Sequence, residues 1–290
     1  MNASHIRQKI NRGETVVCAK ACYADPEVIE LIGRFGFDGI WICLEHKQLD
    51  ASAIYSLIQA CRLAGTDAVM RIKPANYSDL ICLLEAGAQG IMLPRVRTVE
   101  EVREVVAAMK FPPVGRRGFD GVHADSDFGL AAPADYMAHA NRETFLAVQI
   151  EEPEVVPHID AIAALPGVDV LFVGPGDLSN AMGVFGNSES PAVLDVIKKV
   201  AAAARRYGKV AGIPCQPESV KRYQEMGYRF FNVVSDYGCL AKGLKSVSSE
   251  INALGFCLNG ARVKKPETKI VGPKSTRPTL LKKQARRISS

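Results

Sequence analysis

Val148-Gln149-Ile150-Glu151 and Val173-Gly174-Pro175-Gly176-Asp177-Leu178-Ser179 are two apolar runs that each lead into a carboxylate, Asp177 lying 26 residues after Glu151. That interval is about one strand–helix unit of the kind that builds parallel sheets and barrels. Two carboxylates at the C-terminal ends of neighbouring parallel strands can hold one hard divalent cation and leave a coordination position open. Such an arrangement belongs to enzymes more often than to structural metal sites.

Working outward from this pair, apolar runs predict strands at 16–20, 39–44, 67–72, 90–96, 145–150, 168–173, 209–214 and 230–234. Helical spacing predicts helices at 26–35, 51–64, 77–86, 99–109, 154–165, 191–207, 218–226 and 240–254. Eight strand–helix pairs in alternation predict an α/β fold, a closed (β/α)₈ TIM barrel. The strands are nearly continuous apolar runs, as expected where both faces are covered. A doubly wound open sheet is the alternative, but no glycine fingerprint follows the first strand. Residues 112–144 break the rhythm and read as a long irregular connection, which in a compact domain is usually functional or mobile.

Composition agrees with one large core: 290 residues, 48% hydrophobic and 23% charged. No secretory leader and no apolar run long enough to cross a membrane is evident. The eight cysteines are scattered without a CxxC pair, which points to reduced thiols and a cytoplasmic setting. The net charge of +5 is misleading. Residues 258–290 carry ten Lys or Arg against one Glu, whereas 1–257 carry 26 basic against 30 acidic residues. The expected organisation is therefore a barrel domain over 1–256 and a basic, disordered tail over 257–290. The tail has no aromatic residue among its charges, so nucleic acid is disfavoured as a partner.

If the barrel reading holds, the strand C-termini bring Glu45 and His46, Arg71, Arg95, Gln149 and Glu151, and Asp177 to one rim. A lone strand-end carboxylate commonly caps a helix or faces water, and a lone histidine is commonly structural. Their shared rim argues for a site, because active sites of this fold lie on that face. The chain also resembles the HpcH/HpaI family of metal-dependent class II pyruvate aldolases over about residues 15–240. The resemblance is carried by Gly36-Phe37-Asp38, Glu45-His46, Arg71, Gly87-Ala88-Gln89-Gly90 and Pro94. It continues through Pro112-Pro113 to Arg117-Gly118, and most specifically through Gln149-Ile150-Glu151 and Gly174 to Ser179.

The resemblance implies a barrel of the phosphoenolpyruvate/pyruvate-domain type that cleaves 4-hydroxy-2-oxo acids to pyruvate, or a close 2-oxo acid, and an aldehyde. It implies that Glu151 and Asp177 ligate Mg²⁺ or Mn²⁺, with Co²⁺ a further candidate. The backbone around Gly176 and Asp177 would hold the substrate carboxylate, Arg71 would face the ketone oxygen that becomes an enolate, and Gln149 would orient ligands or a bound water. His46 would be the acid/base, with Glu85 as the carboxylate that orients it. It also implies a homo-oligomer, typically a hexamer, whose last helix packs on a neighbour. Independently of family, a divalent ion and a guanidinium at a developing enolate oxygen stabilise it by several kcal/mol. An imine through Lys73 is the alternative chemistry, and it is not required when a metal pair is present.

One departure matters. Relatives commonly carry aspartate three residues before the histidine, and this chain has Cys43. A thiol is a weak acceptor and mostly neutral at pH 7, so it does not replace a carboxylate's charge. The competing functions are thus a 2-oxo-acid and metal-binding protein or scaffold that has lost aldol turnover through Cys43, and an acyl-CoA lyase of the related citrate lyase type, for which no adenine-nucleotide site is evident. The loop with Asp120, His123, Asp125 and Asp127 is also unlike the family.

Overall fold

A computed structural model describes residues 3–72, 76–256 and 258. Lys73 and nearly all of the basic tail lie outside the described residues, so the imine alternative and the tail expectation are not addressed by it. Eight strands close in chain order into one barrel. They are β1 (Val16–Ala21), β2 (Gly39–Cys43), β3 (Asp67–Arg71), β4 (Gly90–Leu93), β5 (Phe145–Ile150), β6 (Val170–Val173), β7 (Val210–Pro214) and β8 (Tyr228–Ser235). Every neighbouring pair is parallel, including β1 with β8. The (β/α)₈ expectation is met.

Strand parity divides the core in two. Phe145 and Ala147 of β5 point into the lumen with Trp41, Phe172 and Phe230. Leu146, Val148 and Ile150 of the same strand join the outer core under the helices. The lumen is filled by aromatic rings in edge contact, Trp41 on Phe172 at 5.8 Å and Phe172 on Phe230 at 5.9 Å. Gly90 faces Phe145 so closely that a Cβ would collide with the ring. Burying this much apolar surface on both faces is what holds the parallel strands together.

The helices are α1 (His5–Arg12), α2 (Pro26–Arg34), α3 (Ala51–Ala64), α4 (Tyr77–Glu85), α5 (Val99–Met109), α6 (Pro133–Glu143), α7 (Ile159–Ala163), α8 (Pro175–Ala181), α9 (Pro191–Arg206), α10 (Val220–Glu225) and α11 (Asp236–Ala253). Asp25, Asp50, Asn76, Thr98 and Ser190 cap their helices by accepting first-turn N–H groups. Three helices were not expected from periodicity. In α1 only Ile6 is buried, inside the lumen. In α6 the buried residues are Tyr136 and Ala140, which pack with Phe111 as a separate small cluster. The third, α8, has seven residues and follows β6 almost directly. Within 112–144, Ser126 Oγ donates to Gly121 O and His123 O, so the connection is ordered by its own polar contacts.

The barrel unit ends at Gly243 and a second unit begins at Leu244. Over its whole length α11 buries no residue. Among the described residues, no helix is long and apolar enough to cross a membrane.

Candidate active site at the strand C-termini

Continuing the β5 parity past Ala147 places Gln149 and Glu151 in the lumen, and the same parity brings Cys43 of β2 and Arg71 of β3 to the same level, where the two are register partners. Glu151 is wholly buried. Its Oε1 accepts the Arg95 backbone N–H at 2.8 Å and its Oε2 accepts Gln149 Nε2 at 3.0 Å. Arg95 adopts φ 57, a left-handed conformation unusual for a side-chain-bearing residue that costs about 1 kcal/mol or more. That turn aims its N–H at the carboxylate. On the other side, Gly174 passes so near that a Cβ would collide with Glu151 Oε2.

Burial pushes the Glu151 carboxyl up to about 7. Asp177 and Glu45 add to the rise, while the Arg95 N–H and the Arg71 guanidinium oppose it. Three carboxylates thus share one neighbourhood with one guanidinium. Glu45 Oε2 lies 3.2 Å from Arg71 Nε, an ion pair without hydrogen-bond alignment. Arg71 is itself buried, donating Nη2 to Cys43 Sγ at 2.9 Å and Nη1 to Gln149 Oε1 at 3.5 Å. Its guanidinium stacks on Trp41 at 4.7 Å.

Among the described residues, no group of three or more His, Cys, Asp and Glu side chains is placed to hold a metal ion. The candidate donors are two carboxylates, Glu151 and Asp177, with Asp177 in the first turn of α8. Their chemistry fits a hard cation: oxygen donors, an excess of negative charge, and a buried carboxyl that a cation would return to its ionised form. At Gly176 a Cβ would meet nothing within 4 Å, so the space beside that backbone is open.

His46 sits on the rim with its side chain 61% exposed. Its Nε2 is 3.7 Å from Glu45 Oε2, and its backbone N–H donates to Cys43 Sγ at 3.4 Å. Glu85 is placed elsewhere. It ends α4, and a helix that follows a barrel strand returns to the opposite rim. Its Oε1 is 3.8 Å from His123 Nε2, and Arg117, Asp120 and Asp125 are its other charged neighbours. Within one chain the structure therefore groups His46, Arg71, Gln149, Glu151, Gly176 and Asp177 but does not bring Glu85 to His46. Burial pushes the Glu85 carboxyl up, opposed by His123 and Arg117.

Sequence reasoning missed Trp41, Lys20 and Glu152. Glu152 is buried with Oε1 2.7 Å from Arg95 Nη2. Lys20 and Trp41 are register partners whose parity, traced from Val16-Val17-Cys18, could have marked them as lumen residues. A cavity of about 410 Å³, lined by Leu44, Ile54, Tyr55, Cys82 and Leu83 among others, lies against α3 and α4. Leu44 and Leu83 belong to the outer core, so it is not the mouth of the barrel.

Comparison with known proteins agrees with this geometry. The profile of the HpcH/HpaI aldolase/citrate lyase family matches residues 21–242. A 5-keto-4-deoxy-D-glucarate aldolase of Salmonella arizonae is 36% identical over 78% of this chain and 88% of its own. A 2-dehydro-3,6-dideoxy-6-sulfogluconate aldolase of Pseudomonas putida is 34% identical over 82% and 90%. The crystal structure of an HpcH/HpaI aldolase from Desulfitobacterium hafniense DCB-2 superposes with TM-score 0.79 at 31% identity, covering 84% of this chain and 96% of that one. A strand-end carboxylate set on a closed barrel, matched across three quarters of its length by named aldolases, makes this chain a carbon–carbon lyase that belongs to the HpcH/HpaI aldolase/citrate lyase family.

Proposed function

We propose that the protein is a divalent-metal-dependent class II aldolase that cleaves 4-hydroxy-2-oxo acids to pyruvate, or a close 2-oxo acid, and an aldehyde. The observation that carries this reading is the buried Glu151 carboxyl beside Asp177 and Glu45, with one guanidinium, Arg71, facing the same space. Glu151 and Asp177 would hold Mg²⁺, Mn²⁺ or Co²⁺. When bound, such an ion supplies Lewis-acid polarisation of the substrate ketone.

The remaining work falls to side chains. Arg71 is held on three sides, by Trp41 below, Cys43 and Gln149 beside it and Glu45 at Nε. A guanidinium fixed in this way stabilises charge on the ketone oxygen without reorganising as that charge grows. Backbone N–H groups at Gly176 and Asp177 take the substrate carboxylate, where open space and the start of α8 favour an anion. Gln149 fixes the Glu151 carboxylate through Nε2. His46 Nε2, on the exposed rim, moves a proton between the substrate hydroxyl and water. In the assembled enzyme, expected in the cytoplasm, we propose a homo-oligomer in which the apolar positions Tyr237 and Leu240 of α11, exposed here, pack on a second copy.

Exchange of pyruvate methyl protons into D₂O, followed by NMR with Mg²⁺ or Mn²⁺ and then with excess chelator, tests the reading. Metal-dependent exchange is expected; its absence from folded protein with every metal would sink it. Cys43 favours a second reading, because a thiol, a weak acceptor without a carboxylate's charge, is what takes the Arg71 N–H. Exchange without cleavage of any 4-hydroxy-2-oxo acid would favour that binder, whose aldol step is lost.

A further inference from the structure

We propose that Lys20 reads an anionic group, a carboxylate or a sulfonate, at the far end of the substrate's aldehyde half, and so determines the specificity of the site. The inference rests on the aldolase reading above and extends it to the other side of the barrel mouth.

The topology sets the direction. In a closed ring of eight strands, β1 stands opposite β5. The reacting end of the substrate belongs to β5 and β6, with Glu151 and Asp177. A substrate extending away from those carboxylates across the mouth therefore runs toward β1 and its neighbours β2 and β8. Lys20 is the fifth of the six residues of β1, in lumen parity with Val16 and Cys18.

The lysine lacks what the comparable lysines of this chain have. Lys9 pairs with Asp38 at 2.7 Å, Lys110 donates to Thr144 O, Thr144 Oγ1 and Asn141 O, and Lys209 donates to Leu165 O. Lys20 is half-buried, yet among the described residues its ammonium has neither a hydrogen bond nor a carboxylate partner. What it has is the Trp41 ring, 5.0 Å below. A half-withdrawn ammonium stacked on an aromatic floor is held in place but not neutralised. Arg71, the other cation over that ring, is already paired with Glu45.

A second observation marks the same quadrant. Trp41 Nε1 and Asn232 Oδ1 are buried without a hydrogen-bond partner, on β2 and β8, the two strands that flank β1. One donor and one acceptor without partners thus flank the strand that carries the free cation, on the side away from Glu151.

The test runs the enzyme in the condensation direction, with pyruvate and either 4-oxobutanoate, butanal or a sulfonate-terminated aldehyde. Wild-type enzyme should prefer the charged aldehydes over butanal by about tenfold or more in kcat/KM. Lys20→Met should abolish the preference through KM for the charged aldehydes, and Lys20→Arg should restore part of it. Preference for only one anion assigns the group as carboxylate or sulfonate. Thermal unfolding of the variants guards against a folding defect, and Lys20→Gln replaces Lys20→Met if that variant does not fold. A wild type without the preference, or a folded Lys20→Met or Lys20→Gln that retains it, overturns the proposal. Loss of metal-dependent pyruvate exchange in the wild type would instead bring down the aldolase reading beneath it.

Discussion

The two ends of the barrel carry acidic residues to opposite effect. At the strand N-termini, Asp38, Asp67 and Asp169 are saturated with donors. Asp67 accepts from Ser4 Oγ and from the N–H groups of His5 and Ile6 at 3.1 and 3.0 Å. Asp38 takes Val17 N–H at 2.7 Å and Lys9, and Asp169 takes Leu146 N–H at 2.9 Å and Arg7. Together they latch α1 across that end, with Ile6 as the plug. At the other end Glu45, Glu151, Glu152 and Asp177 crowd two arginines. Of the eight buried polar side-chain atoms without an aligned hydrogen bond among the described residues, five belong there: Glu45 Oε2, Arg71 Nε and Glu152 Oε1, which meet their partners only as ion pairs, and Trp41 Nε1 and Asn232 Oδ1, which have none. Fully hydrogen-bonded carboxylates mark the end that stabilises, whereas the other end holds its carboxylates by a few ion pairs and leaves polar capacity to spare.

Substitutions can break that contrast, the largest effect first. Glu151→Gln should lower metal-dependent pyruvate exchange by about 10³-fold or more. In chelator, however, it should unfold within a few degrees of wild type, because relief of a carboxyl that burial penalises offsets the loss of one of its two accepted hydrogen bonds. A large drop in calorimetric stability would show Glu151 to be structural. Arg71→Met should cost about 10²–10³-fold in kcat; unchanged steady-state kinetics would remove the guanidinium from the reaction.

At the other end the pattern should invert. Asp67→Ala leaves three donors without their acceptor and should lower unfolding free energy by about 2–4 kcal/mol. The rate per folded molecule should stay within about twofold, as read by urea titration beside activity. A pH series sharpens this further. Burial raises the Asp67 carboxyl to about 6 against an ordinary 3.8. The folded state therefore holds a proton that the unfolded chain releases, and stability from this group is full below about pH 4 and lost as pH rises through about 6. The advantage of wild type over Asp67→Asn should shrink across that interval; a constant difference would mean that the three donors cancel the burial.

Much of this was legible in the sequence because the relevant signals are local. Apolar runs near 145–150 and 170–173 announce buried strands, and Glu151 and Asp177 follow each run directly. What escaped depends on non-local facts. Periodicity is nearly silent in α1 and α6, where one or two residues do the packing and a proline or serine start is the only cue. Family position pairs Glu85 with His46, whereas the direction of α4 carries it toward the other rim, to His123. Trp41 and Lys20 sit inside ordinary-looking strands, and only counting parity from one strand to the next shows that both enter the lumen.

Gly174 has a consequence for any attempt to diversify this enzyme. Because a methyl there would strike Glu151 Oε2, position 174 resists a side chain even in the empty protein, while at Gly176 a side chain would meet no protein atom and would instead fill the space left for the substrate carboxylate. A mutational library over codons 174, 176 and 177 should thus separate two kinds of failure: loss of folded protein at the first, and folded protein without turnover at the other two.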